Sequence, residues 1–180
     1  MGDQLPEDLT GMILVAAPTL RDPNFRRTVL YLARHAPGEG ALGYVLNRPL
    51  ESVVEIAAAS GPVSADLYFG GPVGTESLTL ASLQWRPQSS LIAFSTFAGE
   101  ADKLEIGAEW ETGLRAFAGY AGWSVGQLEG EISEKAWIVL PPEPEIIDGP
   151  RDESLWYGIM RRGGPLLRLM AEAPDDPSLN

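Results

Sequence analysis

Two neighbouring stretches, Thr28 to Arg34 and Gly40 to Leu46, are apolar on successive residues rather than on alternate ones. A strand points successive side chains to opposite faces, so strands apolar throughout demand a sheet covered on both faces. The first stretch is rich in β-formers (Thr-Val-Leu-Tyr-Leu), and Ala36-Pro37-Gly38-Glu39 between the two is turn chemistry, which predicts a hairpin. A third apolar run, Gly11 to Ala17, ends at Pro18 and reads as the strand that precedes them.

Further along, Ser52 to Ala59 carries Val53, Ile56 and Ala57 at i, i+3 and i+4 and is expected to be a short helix ended by Gly61-Pro62. Leu67 to Phe69, Ser77 to Leu83 and Leu91 to Ser95 read as strands, the first broken by Gly70-Gly71-Pro72. Glu100 to Glu111 reads either as a short helix or as an exposed charged connection. Leu114 to Trp123 favours a strand, because its aromatics hold no helical stripe and Gly119 and Gly122 weaken one. Ser124 and Gln127 have the spacing of a capping box, and a helix over Gly126 to Lys135 should turn Leu128 and Ile132 inward. Trp137 to Leu140 is a strand stopped by two prolines. Asp152 to Arg162 is a helix with Leu155, Trp156, Ile159 and Met160 on one face, and Leu166 to Met170 is a last short helix or turn. Strands dominate without strict β-α-β alternation, so the fold class is α+β with a mixed sheet. No linker, repeat or low-complexity run interrupts the chain, which reads as one domain over 9–171 between flexible termini, 1–8 and 172–180.

Composition narrows the chemistry. At 180 residues the chain can bury a real core. No apolar stretch reaches the roughly 18 residues of a membrane span, and the first residues lack the basic and apolar regions of a secretory signal. A cytoplasmic location is expected, without a membrane partner. The absence of cysteine removes thiolate catalysis, disulfides and Cys-ligated metals. A single histidine, His35, rules out a His-rich metal site and leaves one candidate base for a serine triad. No metal site and no cofactor motif is read. The net charge is −12, and it falls on residues 51–180, since residues 1–50 hold five arginines against five acids. Such a chain is repelled at long range by phosphate backbones, which argues against direct nucleic-acid binding.

Four motifs concentrate the unusual residues. The loop Ala17 to Phe25 is stiffened by Pro18 and Pro23 and offers Asp22 either to a ligand or to backbone N–H groups. Asn47-Arg48-Pro49 follows the third strand; the Arg48 fork suits an anionic ligand or an internal pair with Asp22. Phe69-Gly70-Gly71-Pro72-Val73-Gly74 is glycine-rich after a strand but matches no phosphate-binding fingerprint, so close backbone packing competes with ligand binding. Gly119-Tyr120-Ala121-Gly122-Trp123, followed by Gln127, sets two large amphipathic aromatics among residues with almost no side chain. They read equally as a pocket wall and as core anchors. The candidate binding residues are therefore Pro18, Asp22, Asn47, Arg48, Gly70, Gly71, Tyr120, Trp123 and Gln127. No Gly-x-Ser-x-Gly elbow accompanies Ser95 or Ser124, and the carboxylates are surface-patterned, so no catalytic residue is assigned.

These same motifs resemble the YqgE/AlgH family of bacterial proteins. The resemblance rests on the stretch Leu14 to Val29 with Pro18, Asp22, Pro23, Phe25 and Arg27, on Tyr31-Leu32, His35 and Gly40 to Gly43. It continues through Asn47-Arg48-Pro49, Phe69 to Val73, Gly119 to Trp123, Gly126 to Glu129 and Trp137. It covers roughly residues 9–170 and implies a single α+β domain with a central mixed sheet flanked by helices. It implies no established enzymatic activity; some members carry the label of transcriptional regulator. The expected function is thus a non-catalytic regulatory protein that binds a small ligand or a protein partner. The alternatives are direct DNA contact, which the acidity opposes, and an enzyme acting on a small anionic substrate through Arg48 and His35.

Overall fold

The doubly apolar strands sit where both faces of a sheet are covered. In the computed structural model, which describes residues 6–58, 61–97 and 113–173, β1 (Ile13–Ala16), β2 (Val29–Ala36) and β3 (Gly40–Val45) are adjacent and antiparallel. Their alternate residues divide between two cores. Ile13, Val15, Val29, Tyr31 and Tyr44 join one cluster; Leu14, Ala16, Leu30, Leu32 and Val45 join the other. The reading of Glu100 to Glu111 lies outside the described residues.

The remaining strands are β4 (Pro49–Ala58), β5 (Gly61–Phe69), β6 (Val73–Arg86), β7 (Leu91–Phe97), β8 (Leu114–Trp123) and β9 (Trp137–Leu140). They complete a sheet of order β4-β5-β8-β3-β2-β1-β9, with the β6–β7 hairpin attached to β8. The sheet is mixed: β5 runs parallel to β8, and the other pairings are antiparallel. Helix α1 (Gln127–Ser133) covers one face through Leu128. Helices α2 (Glu145–Asp148), α3 (Glu153–Arg162) and α4 (Pro165–Glu172) cover the other, with Ile146, Ile147, Leu155, Trp156, Ile159 and Met160 in the core. The inward face expected of α3 is the buried one. The architecture is α+β, as the strand-rich order predicts.

One element differs from expectation. Residues 52–58 are strand, not helix. Val54 and Ile56 point inward against Ala65 and Leu80, while Val53 and Glu55 face solvent. A period of two therefore underlies the Val-Val-Glu-Ile stretch, and pairing with β5 from Val53↔Asp66 to Ala58↔Gly61 overrides the helical spacing. Gly61-Pro62 opens β5 instead of ending a helix.

Candidate functional site

Seven of the nine motif residues fall at three junctions of the fold. At the first, Asn47 is buried and clips two segments together: its Oδ1 accepts the Val29 N–H at 2.8 Å and its Nδ2 donates to the Arg27 carbonyl at 2.9 Å. Arg48 next to it donates to the carbonyls of Pro23 and Arg26, both at 2.9 Å. It thus holds the Asp22 loop through backbone oxygens, not through the Asp22 carboxylate. Burial pulls the Arg48 guanidinium below its ordinary pKa, with charges of Glu153, Arg26 and Asp22 nearby. Asp22 is exposed and accepts the Asn24 N–H at 2.8 Å, the local turn bond its side chain favours.

At the second junction the loop of Gly70 and Gly71 crosses β8. A Cβ on Gly70 would stand 2.3 Å from the Gly119 carbonyl oxygen, and one on Gly71 would stand 2.2 Å from the Tyr120 backbone. Backbone meets backbone here, with Tyr120 half-buried beside it.

The third junction holds Trp123 and Gln127. The indole N–H groups of Trp123 and Trp137 both donate to Oε2 of Glu131, at 2.9 and 2.7 Å, while Gln127 donates to Oε1 at 2.9 Å. Phe25 stacks on Trp123 with ring centres 6.3 Å apart and meets the Trp137 ring edge-on at 5.6 Å, tying the Asp22 loop to this junction. The predicted capping box forms by half. Gln127 Oε1 accepts the Ser124 N–H at 3.0 Å, but the Gln127 N–H goes to the Ser124 carbonyl, not its hydroxyl. Gly126, at φ +75°, closes this turn and takes the cap position. Pro18 stands apart, lining a small cavity of about 180 Å³ with Arg21, Arg27 and Trp156.

His35 is buried and engaged on both ring nitrogens. Its Nδ1 accepts the Leu9 N–H at 3.2 Å, which leaves Nε2 to carry the proton toward Glu129 Oε1 at 3.2 Å.

An open concavity lies elsewhere, where the apolar layer between the sheet and α2 gives out. It encloses about 600 Å³ and is lined by Ser64 and Asp66 of β5, Leu83 to Trp85 of β6, Gly113 to Arg115 around the start of β8, and Ile147, Asp148 and Arg151. Strand pairing places Arg115 beside Asp66 and Ala81. Arg115 is only 3% exposed. It donates to the carbonyls of Leu46 at 3.4 Å and Ile147 at 3.2 Å, and its Cζ lies 5.1 Å from the Tyr68 ring centre. Desolvation drives its pKa downward. Asp66 pairs instead with Arg151, both about half-exposed at the rim. These two residues also line an adjoining cavity of about 360 Å³ under β4, which Tyr68 borders. The Tyr68 hydroxyl is buried with no hydrogen-bond partner among the described residues. The sequence carried a signal for this place: Arg115 is a charge inside a strand otherwise apolar on successive residues.

Fold and site together define an α+β protein with a mixed sheet, motif residues packed into its junctions, and a polar cavity with an arginine in its floor. The AlgH-like family model matches residues 13–168. The chain belongs to the AlgH-like family. It is 42% identical to a UPF0301 protein of Streptomyces avermitilis over 96% of this chain and 95% of that one. It is 40% identical to one of Thermobifida fusca over 96% of each chain. Among solved structures it is similar to the AlgH protein from Pseudomonas aeruginosa, at 30% identity and a TM-score of 0.57, covering 98% of this chain and all of that one. A crystal structure of a Corynebacterium diphtheriae protein matches at 26% identity and a TM-score of 0.66, over 96% and 95% of the two chains.

Proposed function

We propose that this chain is a non-catalytic cytoplasmic binding protein whose small-molecule ligand enters the cavity between β5, β6, β8 and α2. The carrying observation is the cavity: at about 600 Å³ it has the size of a small-ligand site, with convergent polar groups and a charged residue in its floor. The groups an enzyme would need support a binding role. His35 is held on both nitrogens, and two arms of Arg48 go to carbonyls of a neighbouring loop. Asn47, Arg48, Gly70, Gly71, Tyr120 and Trp123 act in this reading as part of the frame that fixes the sheet. Any effect on transcription runs through the ligand or a protein partner, because the net charge of −12 opposes DNA.

Native mass spectrometry of the full chain, equilibrated with a small-molecule extract of bacterial cells, tests this. The expected result is a small molecule retained at one per chain and recovered chemically unchanged. Ser64→Trp, which fills the cavity from its exposed wall, should abolish retention. Equal retention by Ser64→Trp, no retained molecule at all, or recovery of a converted product would overturn the reading.

A further inference from the structure

We infer that the cavity takes a small organic oxyanion, a carboxylate or a phosphate ester, with Arg115 as its fixed countercharge and Arg151 as a partner that exchanges Asp66 for the ligand. This rests on the binding role proposed above and adds the ligand's chemical class.

The charge of Arg115 is out of balance with its contacts. A guanidinium stays ionised at any pH the protein meets, and burying an ion is costly unless an opposite charge accompanies it. Arg115 is buried, yet no carboxylate among the described residues lies within 4 Å of it; its contacts are two backbone carbonyls and the face of Tyr68. Carbonyl dipoles and a ring quadrupole solvate a cation without neutralising it. Two of the five guanidinium N–H groups are taken by those carbonyls, which leaves donors for an oxyanion.

Asp66 and Asp148 favour the Arg115 charge through space, but neither touches it. Asp66 is directed to Arg151 in a half-solvated pair, and Asp148 is exposed at the rim. Depth therefore separates the charges: the cation lies in the floor and the acids lie at the mouth. An exposed ion pair such as Arg151–Asp66 contributes little and is readily exchanged. An oxyanion arriving between Arg115 and Arg151 would meet two forks suited to bidentate hydrogen bonds. The volume exceeds what a bare inorganic anion fills. Ser64, Gln84 and Trp85 line the rest, so the ligand carries an organic body behind its charged end.

The experiment is calorimetric titration of the full chain with phenyl phosphate, benzoate and neutral benzamide, which share a ring and differ in the head group. The inference expects at least one anion to bind the wild-type chain at least tenfold more tightly than benzamide, and the preferred head group tells phosphate from carboxylate. Arg115→Met should weaken that anion at least tenfold. Asp66→Asn, at a half-exposed side chain, should strengthen it severalfold by freeing Arg151. Its opposite sign keeps the test decisive should Arg115→Met fail to fold. Benzamide binding as well as the anions, with loss in Ser64→Trp, would overturn the oxyanion assignment and leave the binding role standing. Anions binding Ser64→Trp as well as wild type would place them outside the cavity and overturn both. Binding by none of the three probes, or no gain in Asp66→Asn, would overturn the oxyanion assignment alone.

Discussion

Glu131 accepts both indole N–H groups of Trp123 and Trp137 on one oxygen and the Gln127 amide on the other. Buried donors that lose their acceptor retain the full cost of having left water, about 1–3 kcal/mol each. Glu131→Ala should therefore lower unfolding stability by about 2–4 kcal/mol on that basis, with the tryptophan fluorescence of the folded state altered. Glu131→Gln keeps an acceptor for the indoles and should cost less than half as much. Urea unfolding followed by fluorescence measures both; equal losses for the two variants would show that charge, not hydrogen bonding, sets the role. Trp123 and Gln127 stood out in the sequence because aromatics among glycines are conspicuous, and Glu131 did not. Set between Glu129 and Glu134 in the sequence it looks like one more solvated acid, and only the packing of α1 against β8 and β9 picks it out.

At the level of elements, the crossing of residues 70–71 over β8 is made by backbone alone. Gly119 sits at φ +69°, and a Cβ there would stand 2.5 Å from the Gly71 carbonyl oxygen. Gly119→Ala should destabilise by about 2–5 kcal/mol, from a left-handed backbone and a clash with rigid main chain together. Gly130, in α1, has nothing within 4 Å of its would-be Cβ and an ordinary backbone. Gly130→Ala should stabilise by about 0.5–1 kcal/mol. Thermal unfolding of the two variants should therefore move the melting temperature in opposite directions, and a common direction would refute the distinction. Close packing was a legible reading of the Gly70-Gly71 motif, since it matches no phosphate loop, but its partner strand was not, because that pairing is non-local. The β4 stretch illustrates the same limit: Val53, Ile56 and Ala57 fit a helix, Val54 and Ile56 fit a strand, and only the presence of β5 alongside decides.

For the whole molecule, the successive apolar residues of β2 and β3 carried the most information. They require cover on both faces, and α1 on one side with α2, α3 and α4 on the other supply it. Among the described residues no helix is long and apolar enough to cross a membrane. The cavity was less legible than the sheet, because it is assembled from β5, β6, β8, α2 and the residue Arg151 beyond it, which lie far apart in the chain. Its strongest trace was Arg115, an ion in a strand with no place for one. The proposed function puts the ligand there and makes the conspicuous motifs its frame. Backbone amide shifts on titrating the isotope-labelled chain with the tightest-binding anion test it directly. The largest changes should fall at Ser64, Asp66, Gln84, Arg115, Asp148 and Arg151. Changes centred on Asn47-Arg48, Gly70-Gly71 or Tyr120 to Gln127, with the cavity residues unmoved, would contradict it.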